Sequence, residues 1–196
     1  MPPQTREQRV SDLIAGSDFG RVLGAPYLVT HAGFLPEDPA DPKYAPTVEA
    51  LRKVAAHCQE NGQTFLFETG QETPTTLART IEDVGLRNLG VNLDPANLIL
   101  YGKANPVDAL DILGKYVHGV HGKDGCYPTN GRELGAEKRI GEGKVDFESL
   151  LTRLVKEFHY QDGISIEREI QEGSPEQTAD LLYAKGYFER ILSKLN

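Results

Sequence analysis

Helix-like stretches alternate with short apolar runs along the whole chain, and this alternation limits the fold more than any other feature. From Thr5 to Leu23, apolar residues recur every three or four positions (Val10, Leu13, Ile14, Phe19, Val22, Leu23), which predicts an amphipathic helix. Tyr27–His31 then reads as a buried strand, and a Pro/Asp-rich loop leads to a helix over Thr47–Gln59. Further strands are expected at Thr64–Glu68, Leu89–Asp94, Tyr116–His121 and Ile164–Glu167. Helices are expected to open at Thr73-Pro74 and Asn105-Pro106, each a capping side chain followed by proline at the first helical position. Two more cover Phe147–Phe158 and Pro175–Leu192, and a long glycine-rich loop runs from Gly122 to Gly143. Strands without polar alternation, separated by helices, imply a parallel sheet covered by helices. Right-handed crossovers leave a doubly wound open sheet or part of a (β/α) barrel.

Composition narrows the function classes. The chain has 196 residues, enough for one domain with a filled core, and a net charge of −8. That charge argues against binding a phosphate backbone, which needs a basic stripe, so no nucleic-acid partner is expected. No apolar run reaches roughly the 18 residues of a membrane span, and no membrane partner is expected. The polar start, Met1–Glu7, lacks the apolar stretch of a secretory signal, and Cys58 and Cys126 form no Cys-x-x-Cys pair. The expected location is the cytoplasm.

The sharper signal is where polar residues fall. His31, Glu68, Asp94, His121 and Glu167 each sit at or near the C-terminal end of an expected strand, where α/β barrels gather their chemistry. A charge there must be paired, bound to metal or exposed at the rim. Strand parity puts Asn92 on the face of Asp94, groups Ser165, Glu167 and Glu169, and sends Arg168 to the other side. Three carboxylates and one imidazole form a mostly hard ligand set, suited to Mn²⁺, Mg²⁺ or Co²⁺ and tolerable to Zn²⁺. The competing reading is a set of rim ion pairs with Arg168, Lys123 and Lys103 as partners.

Six short pieces then occur in an order that resembles a known family. They are His31-Ala32-Gly33-Phe34, Phe67-Glu68-Thr69-Gly70, Asn92-Leu93-Asp94-Pro95-Ala96-Asn97, Val120-His121-Gly122-Lys123-Asp124-Gly125, Gly141-Glu142-Gly143-Lys144-Val145-Asp146-Phe147 and Ile166-Glu167-Arg168-Glu169. The chain is similar to the xylose isomerase-like sugar phosphate isomerases and epimerases, a (β/α)8 TIM-barrel family. The resemblance implies one α/β domain over residues 1–196, an incomplete barrel carrying about the last five parallel strands and lacking the first three. It implies a divalent ion, Mn²⁺ first among the candidates, held by Glu68, Asp94, His121 and Glu167. It also implies a keto-sugar or sugar phosphate substrate, isomerised or epimerised by proton transfer through a metal-stabilised enediolate, with Glu68 and Glu167 as catalytic acid and base. His31, Asn92, Asn97 and Lys123 are the expected substrate contacts, with Lys123 pairing with Asp124 as its bland alternative. The family's tagatose-type epimerases have histidine where this chain has Asn97, which departs from that sugar preference. A metal-dependent dehydratase of inosose type and an inactive barrel fragment are the alternatives. A homo-oligomer would cover the open barrel edges.

Overall fold

The computed structural model describes residues 3–195, which fall into two compact units divided between Val91 and Asn92. Five strands form a sheet in the order β1 (Tyr27–Thr30), β2 (Thr64–Glu68), β3 (Leu89–Leu93), β4 (Val117–Gly122) and β7 (Ile164–Ile166). The pairs β1–β2 and β4–β7 are parallel, as the alternating pattern demanded.

In the first unit, α1 (Pro3–Val22), α2 (Tyr44–Glu60) and α3 (Pro74–Val84) alternate with the strands. Phe65, Leu66 and Phe67 of β2 are all buried, so both faces of the strand are covered. The Phe65 and Phe67 rings meet edge-on, 5.0 Å apart. Val48, Leu51, Val54, Ala55 and Cys58 give α2 one continuous buried stripe. Helix α2 begins at Tyr44, three residues before the expected Thr47, because proline is compatible with a first turn and Pro46 sits in it. Thr73 caps α3 as expected, its side chain accepting from the Thr76 amide.

The second unit holds α4 (Pro95–Leu100), α5 (Pro106–Leu113), α6 (Phe147–Phe158) and α7 (Pro175–Leu192). Phe147, Leu150, Leu151 and Leu154 form the buried stripe of α6, and the Phe147 ring packs edge-on against Phe188 of α7 at 4.9 Å. Two features differ from the sequence reading. The segment read as a loop contains a small antiparallel hairpin, β5 (Asp124–Cys126) with β6 (Ala136–Lys138). Helix α4 occupies a stretch that had no assignment, because six consecutive buried residues carry no amphipathic period. Among the described residues, no helix is long and apolar enough to cross a membrane.

Helix α6 also offers a test of local capping. Asp146 accepts from the amide and the hydroxyl of Ser149, and these bonds hold its carboxyl below the usual carboxylate value. Replacing Asp146 by Ala should cost about 1 kcal/mol in neutral denaturant melts. A group whose folded pKa is lowered stabilises above its unfolded value and loses that contribution as pH falls through the folded one. The difference between Asp146→Ala and wild type should therefore shrink below about pH 4, and a difference unchanged at pH 3 would refute the cap.

Candidate metal centre

Asp94 follows directly on β3 and is fully buried. Its Oδ1 accepts from the Asn97 amide at 2.8 Å, capping α4, so its Oδ2 points the other way. Oδ2 lies 3.5 Å from Nδ1 of His121 on β4 and 3.8 Å from Nζ of Lys123. His121 Nδ1 is also 3.2 Å from Oε1 of Glu167, the first residue past β7. The Glu167 backbone is tied to β4, its amide donating to the Gly122 carbonyl at 3.1 Å. The ring's other nitrogen, Nε2, lies 2.7 Å from the side-chain amide of Asn92 on β3. Burial pushes the Asp94 carboxyl up from its ordinary value, although the contacts with His121, Lys123 and the Asn97 amide oppose this.

Lys123 is the cation of this group, with only 3% of its side chain exposed. Its ammonium bonds Oε2 of Glu169 at 2.5 Å and lies 3.7 Å from Oε2 of Glu167. Burial alone would lower its pKa. The Glu169 hydrogen bond and the charges of Asp94, Glu169 and Glu167 outweigh burial and raise it. Of the two readings of Lys123, the pair with Asp124 does not form, because the Asp124 carboxylate accepts from four backbone amides instead. Arg168, read above as a rim partner, turns to Asp180 and Glu137 at 2.8 and 2.9 Å. That orientation agrees with strand parity, which separates Arg168 from Glu167 and Glu169.

In the first unit, Glu68 ends β2 and its Oε1 lies 3.3 Å from Nε2 of His31, which is half exposed. One ligand atom from each of Glu68, Asp94, His121 and Glu167 lies within 4.8 Å of the others, the four residues that the strand-end pattern singled out. Asn97 is buried and tied to Asp94 through its own amide. Glu169 belongs to the group as the partner of Lys123, and only its shared face with Glu167 hinted at this in the sequence.

A family described as the xylose isomerase-like TIM barrel matches residues 1–185. The chain belongs to this family. Among solved structures, a xylose isomerase domain protein from Planctomyces limnophilus is 37% identical, with a TM-score of 0.93 over 99% of this chain and 69% of its own. A xylose isomerase-like TIM barrel protein from Mycobacterium smegmatis, solved in complex with magnesium, superposes at 0.77 with 18% identity, covering 100% of this chain and 70% of that one. A 3-keto-D-glucoside 4-epimerase from E. coli does so at 0.65 with 16% identity, over 90% and 70%. No functionally curated protein matches. The eight-stranded barrel of the xylose isomerase-like family is represented here by five parallel strands, some of its N-terminal strands being absent from this chain.

The donor set fits a divalent ion. Carboxylates and one imidazole supply hard and borderline donors, and a fully buried carboxylate beside two more acids calls for positive charge. Chemically, such a cluster can hold a cation and present carboxyl oxygens to a molecule bound beside it.

Proposed function

We propose that the chain is a divalent-metal-dependent isomerase or epimerase acting on a keto-sugar or sugar phosphate, with Glu68, Asp94, His121 and Glu167 as metal ligands and Mn²⁺ as the metal. The observation that carries this reading is the convergence of Asp94, His121 and Glu167 around one Nδ1 atom, with the Glu68 carboxylate in the same cluster. Family membership supports it, and so does the sugar epimerase named above among the chain's structural neighbours.

A bound divalent ion would supply the electrophilic pull that makes a C–H beside a carbonyl acidic enough to lose its proton. Glu68 and Glu167 are the proposed base and acid: one takes the proton from that carbon and the other returns one. Return to the opposite face gives the epimer, and return to the neighbouring carbon gives the isomer. Asp94 stays a ligand, since its other oxygen is committed to the helix cap. His31, Asn92, Asn97 and Lys123 are the proposed substrate contacts. Lys123 would bring a buried ammonium to a substrate oxyanion once Glu169 lets go, and His31 would act from beside Glu68. Residues 1–196 are read as one barrel domain of a cytoplasmic protein. Exposed Phe19 and Val22 on α1, with Leu23 just past its end, are the proposed surface for a second copy.

The deciding experiment is Mn²⁺ titration of wild type, Glu68→Gln and Glu167→Gln, followed by solvent-deuterium exchange into a panel of ketoses. Wild type should bind one ion and exchange the proton beside the carbonyl. Each variant should bind more weakly and lose about 10²–10⁴-fold in exchange rate. Folded wild type that takes up no Mn²⁺ would sink the proposal, and loss of a hydroxyl from the substrate would turn it towards a dehydratase.

A further inference from the structure

We infer that Asn92 is a positioning residue, whose side-chain amide fixes His121 so that Nδ1, and not Nε2, faces the carboxylates. This rests on the metal reading above and adds to it a role for a residue that is not a ligand. Asn92 and His121 lie on neighbouring strands of the sheet, and the amide meets Nε2 at 2.7 Å, a full hydrogen bond. Asn92 is only 5% exposed, so water has little access to replace that bond. Asn92 holds the ring by a hydrogen bond at Nε2, while Asp94 and Glu167 face Nδ1 from 3.5 and 3.2 Å.

Gly119, two residues before His121 on β4, belongs to the same device. A Cβ built at position 119 would overlap Asn92 Oδ1, so the amide occupies space that only glycine leaves open.

The choice of asparagine follows from the two jobs of the ring. When Nδ1 uses its lone pair for a cation, the proton of a neutral imidazole sits on Nε2, which then needs an acceptor. When Nδ1–H faces the carboxylates instead, Nε2 carries a lone pair and needs a donor. An amide offers Oδ1 for the first state and Nδ2–H for the second, by turning about its last bond. Aspartate could serve only the first, and leucine neither.

The test uses Asn92→Leu, Asn92→Asp and Gly119→Ala, the last evicting the amide without touching it. Two readouts are taken: Mn²⁺ affinity by calorimetry, and the histidine ring resonances of metal-free protein with ¹⁵N-labelled histidine. Asn92→Leu and Gly119→Ala should each weaken Mn²⁺ by about 10–100-fold, the usual cost of losing a partner behind a metal-bound histidine. Both should shift the His121 resonances, while Asn92→Asp keeps an acceptor at Nε2 and retains wild-type affinity or better. Wild-type affinity and unchanged His121 resonances in Asn92→Leu would overturn the inference. If wild type binds no Mn²⁺, the metal reading fails alone and the metal-free spectra decide the role of Asn92. His121 resonances moved by both Asn92→Leu and Gly119→Ala would then support it, and unmoved ones would reject it.

Discussion

With Asp94 a Mn²⁺ ligand as proposed above, Asp94→Asn should remove Mn²⁺ binding while leaving the metal-free fold nearly as stable as wild type. The two oxygens of Asp94 have separate tasks. Oδ1 caps α4 by accepting from the Asn97 amide, and Oδ2 faces His121 Nδ1 and Lys123 Nζ. Asparagine can keep an oxygen at the cap, so α4 should hold. What disappears is a fully buried negative charge in the middle of the ligand group. Partners one step behind a metal ligand are worth about 10–100-fold in affinity, so losing the ligand itself should cost at least about 100-fold. Lys123 keeps Glu169 at 2.5 Å and Glu167 at 3.7 Å, so its ammonium is not stranded by the change. Burial disfavours the Asp94 charge in the metal-free protein, which further limits the stability lost with it. Calorimetric titration and metal-free melting curves read the two effects separately. Affinity within tenfold of wild type would remove Asp94 from the ligand set. A metal-free melting temperature lower by more than about 10 °C would mean the charge itself holds the fold.

The parts of this molecule that repeat a local rule could be read from the sequence. Strands β1 to β4 and β7 are short apolar runs between helices, and a parallel sheet buries both faces of its strands, so these runs had few other places to go. The starts of α3 and α5 were marked by Thr73-Pro74 and Asn105-Pro106, where one side chain and one ring settle the first turn. Asp94-Pro95 is the same signal, and it opens α4. The residues after it offer no helical period to read, because all six of Pro95–Leu100, polar Asn97 among them, are buried. The hairpin of β5 and β6 was hidden for a different reason. Its strands are three residues each, Asp-Gly-Cys and Ala-Glu-Lys, with no apolar run between them, and what holds them is tertiary, such as the Gly135 amide donating to the Leu100 carbonyl. Charge pairing divides in the same way. Parity along one strand separated Arg168 from Glu167, but nothing local says that Lys123 reaches Glu169, 46 residues on. Asn92 shows the limit of parity, which placed it beside Asp94 but could not say that its amide would meet a histidine on the next strand.

The second large effect should come from Asp124, outside the ligand group. Its buried carboxylate accepts from the amides of Gly125, Gly141, Gly143 and Val145 at 2.8, 2.9, 3.0 and 3.1 Å. One side chain, one residue from Lys123 and three from His121, thus gathers both ends of the segment from Gly125 to Val145, which carries the rest of β5 and all of β6. Charged acceptors make stronger hydrogen bonds than neutral ones, and donors left without a partner where the chain is buried, as at Gly125 and Val145, are costly. Asp124→Ala should therefore cost about 3–5 kcal/mol, a large share of the stability of an ordinary domain. For a chain of this size the melting temperature should fall on the order of 10 °C. Amide hydrogen exchange should locate the damage, with Gly141, Gly143 and Val145 losing protection before α6 does. Asp124→Asn should do less harm, since one oxygen remains to accept, and the gap between the two variants measures what the charge adds. Gly143→Ala approaches the same bonds from the other side, because a Cβ there would overlap the Asp124 carboxylate. It should open the segment even with Asp124 in place. If Asp124→Ala melts within about 2 °C of wild type with exchange unchanged, the segment is held by its hairpin and the carboxylate is incidental.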